Sequence, residues 1–107
     1  MAQSLGGRFG IPHGAANALC LPPALRFNEP VAAAEIARFG AALGADDPAA
    51  RSEELARLAG FERLRDLGVP EESLGEVAEA TVVRAGARAN PRPATAEQVH
   101  GLLRAVW

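Results

Sequence analysis

Gly6-Gly7-Arg8-Phe9-Gly10-Ile11-Pro12-His13-Gly14-Ala15-Ala16-Asn17-Ala18 is the stretch from which the fold is read. Glycines punctuate it, Pro12 can precede a helix start, and the residues after His13 are small and apolar. The pattern predicts a turn that hands one imidazole to the mouth of an alanine-rich helix. Upstream, Ala2–Leu5 is expected to be a short helical tail ended by Gly6-Gly7. Downstream, a helix from about His13 to Phe27 should bury Ala16, Leu19, Cys20 and Ala24, with a break near Leu21 where Pro22-Pro23 removes backbone donors.

The rest of the chain reads the same way. Pro30 suits the first turn of a helix capped by Asn28 or Glu29, and Ala32, Ile36, Phe39 and Leu43 follow at buried-face spacing before Gly44. Asp46-Asp47-Pro48 starts another helix, from which Leu55, Leu58, Phe61, Leu64 and Leu67 continue an apolar stripe bent at Gly60. Gly68-Val69-Pro70-Glu71-Glu72 opens a further helix with Leu74, Val77, Ala78, Val82 and Ala85 inward. Residues 86–93 read as a loop. Thr95-Ala96-Glu97-Gln98 is a capping box before Val99, Leu102, Leu103 and Val106. The fold class is all-α, a small bundle of five to six helices, with residues 1–107 forming one helical domain.

Composition narrows the function classes. The chain has 107 residues, 49% of them hydrophobic and 5% aromatic, so its core must come from Leu, Val and Ala on closely packed helices. All 11 basic residues are arginine and are spread along the chain against 13 acids, which argues against nucleic acid as a partner. No stretch approaches membrane-spanning length and no leader pattern opens the chain, so a cytoplasmic protein is expected. The single cysteine, Cys20, reads as a small buried apolar residue rather than a reactive thiol.

His13 is the candidate metal ligand, because a neutral imidazole on a glycine-flanked turn suits divalent iron or zinc. On composition alone the favoured reading is a helix-start histidine bonded to backbone, and the neighbouring residues reverse that preference. His100 lies toward the solvated phase of the last helix. The pairs Asp46-Asp47, Glu53-Glu54 and Glu71-Glu72 read as caps and solvated faces. Arg88 and Arg92 could meet an anion, with structural salt bridging the preferred reading.

Gln3-Ser4-Leu5-Gly6-Gly7, Ile11-Pro12-His13-Gly14-Ala15-Ala16-Asn17-Ala18, Leu21-Pro22 and Arg26-Phe27-Asn28 together resemble one continuous stretch of the iron-containing (group III) alcohol dehydrogenases. Leu64-Arg65-Asp66-Leu67-Gly68-Val69 and Asn90-Pro91-Arg92-Pro93 resemble later segments of the same family, in the same order. The resemblance implies the C-terminal part of an all-helical metal-binding domain, without its first helices or the upstream dinucleotide-binding domain. It implies iron or zinc and NAD(P) in the complete enzyme, the metal held by an aspartate and three histidines, and a reversible alcohol–aldehyde or maleylacetate-type reaction. His13 matches the last histidine ligand. Gln3 falls where many members carry an active-site histidine, and Pro23 where another histidine often stands. With the other ligands and the nucleotide site upstream, the chain alone is expected to be inactive. The alternative is a free-standing interaction module that forms a homo-oligomer through an exposed apolar face.

Overall fold

The computed structural model describes residues 1–107. Six α-helices form: α1 (Ala2–Phe9), α2 (His13–Leu43), α3 (Pro48–Leu58), α4 (Leu74–Val82), α5 (Ala85–Arg88) and α6 (Ala96–Ala105), with 3-10 turns at Leu64–Leu67 and Glu71–Ser73. There is no strand. The molecule measures 36 × 30 × 19 Å. Its thinnest dimension is about two helix diameters, so each helix keeps a solvated face and only 23 of 107 residues are buried.

The core gathers Leu5 of α1, Leu74, Val77 and Ala78 of α4, and Val99 and Leu103 of α6 around Ala15, Ala16, Leu19 and Cys20 of α2. Leu64 and Val69 close it from the connecting segment. That segment also fixes the C-terminus: the Leu64 N–H donates to the Val106 carbonyl (2.9 Å) and the Trp107 indole N–H to the Val69 carbonyl (2.7 Å). Helices α4 and α6 pack along each other, α1 bridges α2 and α4, and α3 folds back along the far half of α2.

Two predicted starts are as expected. The Asp47 carboxylate accepts from the Ala50 N–H (2.9 Å) ahead of α3. Thr95 and Gln98 satisfy each other's backbone N–H at 3.2 and 3.0 Å ahead of α6.

Four expectations are corrected. Helix α1 does not end at Gly6-Gly7 but runs to Phe9, and the left-handed residue is Gly10 (φ 66°), whose N–H reaches the Gly6 carbonyl. Without a Cβ, Gly10 adopts that conformation at little cost. Helix α2 continues through Pro22-Pro23, and its one non-helical residue is Ala32 (φ −137°, ψ 32°). Pro22 and Pro23 are buried, so packing of their rings offsets the lost donors. Pro30 is exposed and gains no such packing, so the backbone yields just beyond it, and neither Asn28 nor Glu29 caps a new helix.

The third correction concerns α3, which buries Pro48, Ala49, Ser52 and Ala56 rather than its leucines; Leu58 is 76% exposed and Leu55 41%. Small residues let α3 approach α2 closely, and Gly40 of α2 is buried in the same seam. Of the predicted face on α2, Ala32 is buried, Ile36 and Leu43 are half-buried, and Phe39 is exposed. Lastly, Ala85, expected on the inner face of α4, lies beyond that helix and is exposed, and residues 86–88, expected as loop, complete with it the single turn α5.

A Cβ at Gly40 would lie 2.7 Å from the Ala45 carbonyl oxygen and 3.3 Å from Pro48 Cδ. Gly40→Ala should therefore lower unfolding stability by roughly 1–3 kcal/mol. Gly101→Ala, on open helix surface, should be neutral or stabilise by up to about 1 kcal/mol. Urea denaturation of both variants separates steric crowding from helix propensity.

Candidate functional site

The turn Gly10-Ile11-Pro12 reverses the chain between α1 and α2. Ile11 is anchored in the core, and a Cβ on Gly6 would meet the Ile11 carbonyl at 3.3 Å, so the turn lies close against α1. His13 is the first residue of α2 and is exposed to solvent. It opens into a cleft of about 460 Å³ together with Gln3, Asn17, Phe27, Asn28 and Arg84. The sequence-predicted pair, His13 and Gln3, is thus brought to one cleft from two helices.

One wall is the loop before α6, which is clamped to α2 by polar and aromatic contacts. The side-chain amides of Asn28 and Asn90 donate to each other's carbonyl oxygen (3.0 and 2.7 Å), and Asn90 also donates to the Arg92 carbonyl (2.7 Å). The Arg92 guanidinium donates to the Phe27 carbonyl (3.0 Å) and lies 4.2 Å from the Phe27 ring centroid. Arg92 therefore makes no salt bridge here; its guanidinium lies against an aromatic face and a backbone carbonyl. The opposite wall is held by α1 against α4, where buried Ser4 and Thr81 hydroxyls pair at 3.0 Å and Thr81 donates to the Val77 carbonyl.

Asn17, Asn28, Arg84 and Asn90 are cleft residues that sequence reasoning did not single out as functional. The Asn-Pro-Arg loop and the Arg-Phe-Asn segment were visible as motifs, but nothing in their spacing says that they meet. Arg84 stands just beyond α4, and its Nε donates to the Gln3 side-chain oxygen (3.2 Å).

The residues present do not fit a metal ion by themselves. No group of three or more His, Cys, Asp or Glu side chains converges anywhere in the chain. His100, half-buried on α6, does not line the cleft. Cys20 is buried, as expected, and burial pushes its thiol up to about 11 from the ordinary 9.0. A protonated thiol is neither nucleophile nor ready ligand.

The whole chain, residues 1–107, matches the family described as Fe-containing alcohol dehydrogenase family, C-terminal. It is 38% identical over 104 residues to the maleylacetate reductase of Sphingobium indicum, covering 96% of this chain and 29% of that protein. It is 42% identical over 111 residues to maleylacetate reductase 2 of Cupriavidus pinatubonensis, covering 100% of this chain and 30% of that one. A crystal structure of 1,3-propanediol oxidoreductase superposes with a TM-score of 0.91 at 29% identity, over 99% of this chain and 31% of that chain. The chain thus spans under a third of the length of the curated relatives it matches. No helix is long and apolar enough to cross a membrane.

Two predictions arise from these contacts. A double-mutant cycle on Asn28→Ala and Asn90→Ala should return a coupling of about 1 kcal/mol, since each amide loses the same partner. The second concerns Cys20, whose folded pKa is raised, so the neutral thiol's contribution is intact below pH 9.0 and is lost as pH rises towards 11. Between those limits the parent chain should lose roughly 2–3 kcal/mol more stability than Cys20→Ala, measured by urea denaturation across the alkaline range.

Proposed function

The chain belongs to the Fe-containing alcohol dehydrogenase family, and from that premise we propose that it serves as the C-terminal helical part of an NAD(P)-dependent oxidoreductase. The reaction is reversible hydride transfer between a nicotinamide and a carbon bearing a hydroxyl or carbonyl oxygen. The observation that carries this reading is the agreement of the whole helical arrangement with 1,3-propanediol oxidoreductase, at a TM-score of 0.91.

In this reading His13 is one protein ligand of the metal, held at the cleft mouth by the Gly10 turn and the start of α2. One imidazole cannot fix a metal's geometry; enzymatic sites use about three protein ligands or more. The remaining ligands and the nucleotide site come from residues outside these 107. Gln3 at the active-site histidine position provides an amide that hydrogen-bonds but does not titrate near neutrality. Any proton movement that relatives route through a histidine there takes another path in this protein. The isolated chain has no dehydrogenase activity.

The test is a chimera in which this chain replaces the matching segment of the Sphingobium indicum maleylacetate reductase. The chimera should bind divalent iron or zinc and catalyse NAD(P)H-dependent reduction, and His13→Ala should lower metal affinity by about 100-fold or more with loss of turnover. Full metal content in the His13→Ala chimera would sink the assignment. NADH oxidation by the isolated 107-residue chain would overturn the claim that it is inactive alone.

A further inference from the structure

Residues 85–93, between α4 and α6, form a strap along one side of the cleft, and Gly86, Ala87 and Asn90 line it. No residue of the strap is buried, and none belongs to the core that holds α1, α2, α4 and α6 together. Its backbone hydrogen bonds are short-range. The N–H groups of Ala87 and Arg88 reach the Arg84 carbonyl (3.1 Å each), that of Ala89 the Ala85 carbonyl (3.0 Å) and that of Asn90 the Ala87 carbonyl (3.3 Å). Both ends are fixed. The Arg84 N–H donates to the Thr81 carbonyl (3.1 Å), and Ala94 packs against the core just ahead of the Thr95 capping box.

Between those ends, side chains tie the strap to α2. They are the reciprocal Asn28–Asn90 amide pair, and Arg92 on the Phe27 carbonyl and ring. All four residues are half-buried, so water competes for their polar groups and each hydrogen bond is weak in net terms. The strap itself is stiff. Pro91 and Pro93 fix their own φ and favour extended backbone at Asn90 and Arg92. The Asn90 side chain also holds the Arg92 carbonyl, which braces the turn from within. Gly86, where an added Cβ would meet nothing within 4 Å, supplies a pivot at the α4 end.

We propose that residues 85–93 are a lid that swings off α2 as one piece and opens the cleft on that side, with the Asn28–Asn90 amide pair as its latch. Opening breaks the latch and the Arg92–Phe27 contact and uncovers no core leucine or valine. The short-range backbone bonds and the Asn90–Arg92 bond travel with the strap. The motion stands on the geometry of the cleft wall and holds whichever molecule the cleft admits. Its failure therefore leaves the oxidoreductase reading untouched.

The test is NMR relaxation dispersion on the 107-residue chain and its Asn28→Ala variant. Alanine is a better helix former than asparagine, so the substitution does not weaken α2. It also leaves the Asn90–Arg92 bond inside the strap intact. In the parent chain, millisecond exchange should be confined to residues 85–93 and the Arg92 side chain. The minor-state shift of the Arg92 Nε–H should match its position in the urea-unfolded chain, where no ring lies beneath it. In Asn28→Ala the open population should rise roughly five- to tenfold, with α4 and α6 unchanged. Three results overturn the proposal: no exchange at residues 85–93 in either protein, exchange there that Asn28→Ala leaves unaltered, or exchange of equal size throughout α4 and α6. The last would mean that the strap moves only when the whole fold does.

Discussion

Four leucines, Leu5, Leu64, Leu74 and Leu103, are wholly excluded from solvent, and they come from four separate segments of the chain. Burying each is worth about 1.5–3 kcal/mol relative to exposure, and in a chain with few aromatics little else could replace them. Their convergence forces α1, α4, α6 and the Leu64–Leu67 turn onto one side of α2. The alanines and Cys20 of α2 face that group and let the helices come close. Everything about the cleft follows from this arrangement, since its walls are the polar rims of helices whose inner faces are already committed.

The rims are tied by contacts that would be costly to leave half made. Ser4 and Thr81 are buried hydroxyls, and each finds the other. The Asn28–Asn90 amide pair and the Arg92–Phe27 stack fasten a proline-rich loop that has little helix to anchor it. Such a loop would otherwise be the most mobile wall of the site. By contrast, the surface ion pairs such as Arg8–Glu76 are largely solvated and contribute little to stability. Polar geometry, rather than counted charge, shapes the cleft.

Helix existence and capping were legible in the sequence because they rest on local chemistry. Asp47 before Pro48 and Thr95 with Gln98 act through bonds to their own backbone, so no tertiary knowledge is needed. Proline and glycine were misread where tertiary burial decided the outcome. Pro22-Pro23 looks like a break until both rings are seen to be buried, and Gly6-Gly7 looks like a stop until Gly10 is seen to take the left-handed turn. The α3 stripe failed for a related reason: large apolar residues dominate a periodicity count, whereas the seam against α2 is set by alanine, serine and glycine. His13 and Gln3 were legible as a pair through family resemblance, while Arg84 was not, because its neutral partner lies 81 positions away.

The placement of the core bears on how a helical part can keep its shape within larger proteins. The solved relative shares this arrangement at a TM-score of 0.91 although its chain is more than three times as long. The contacts that set the helix positions here, the leucine group, the Gly10 turn and the Asn28–Asn90 clasp, all lie within these 107 residues. Packing against any further domain is therefore not needed to orient His13, Gln3 and Arg84 relative to one another. Gln3 and Arg84 stand at the rim of the cleft, above helices whose buried leucines fix the start of α2 relative to α1 and α4.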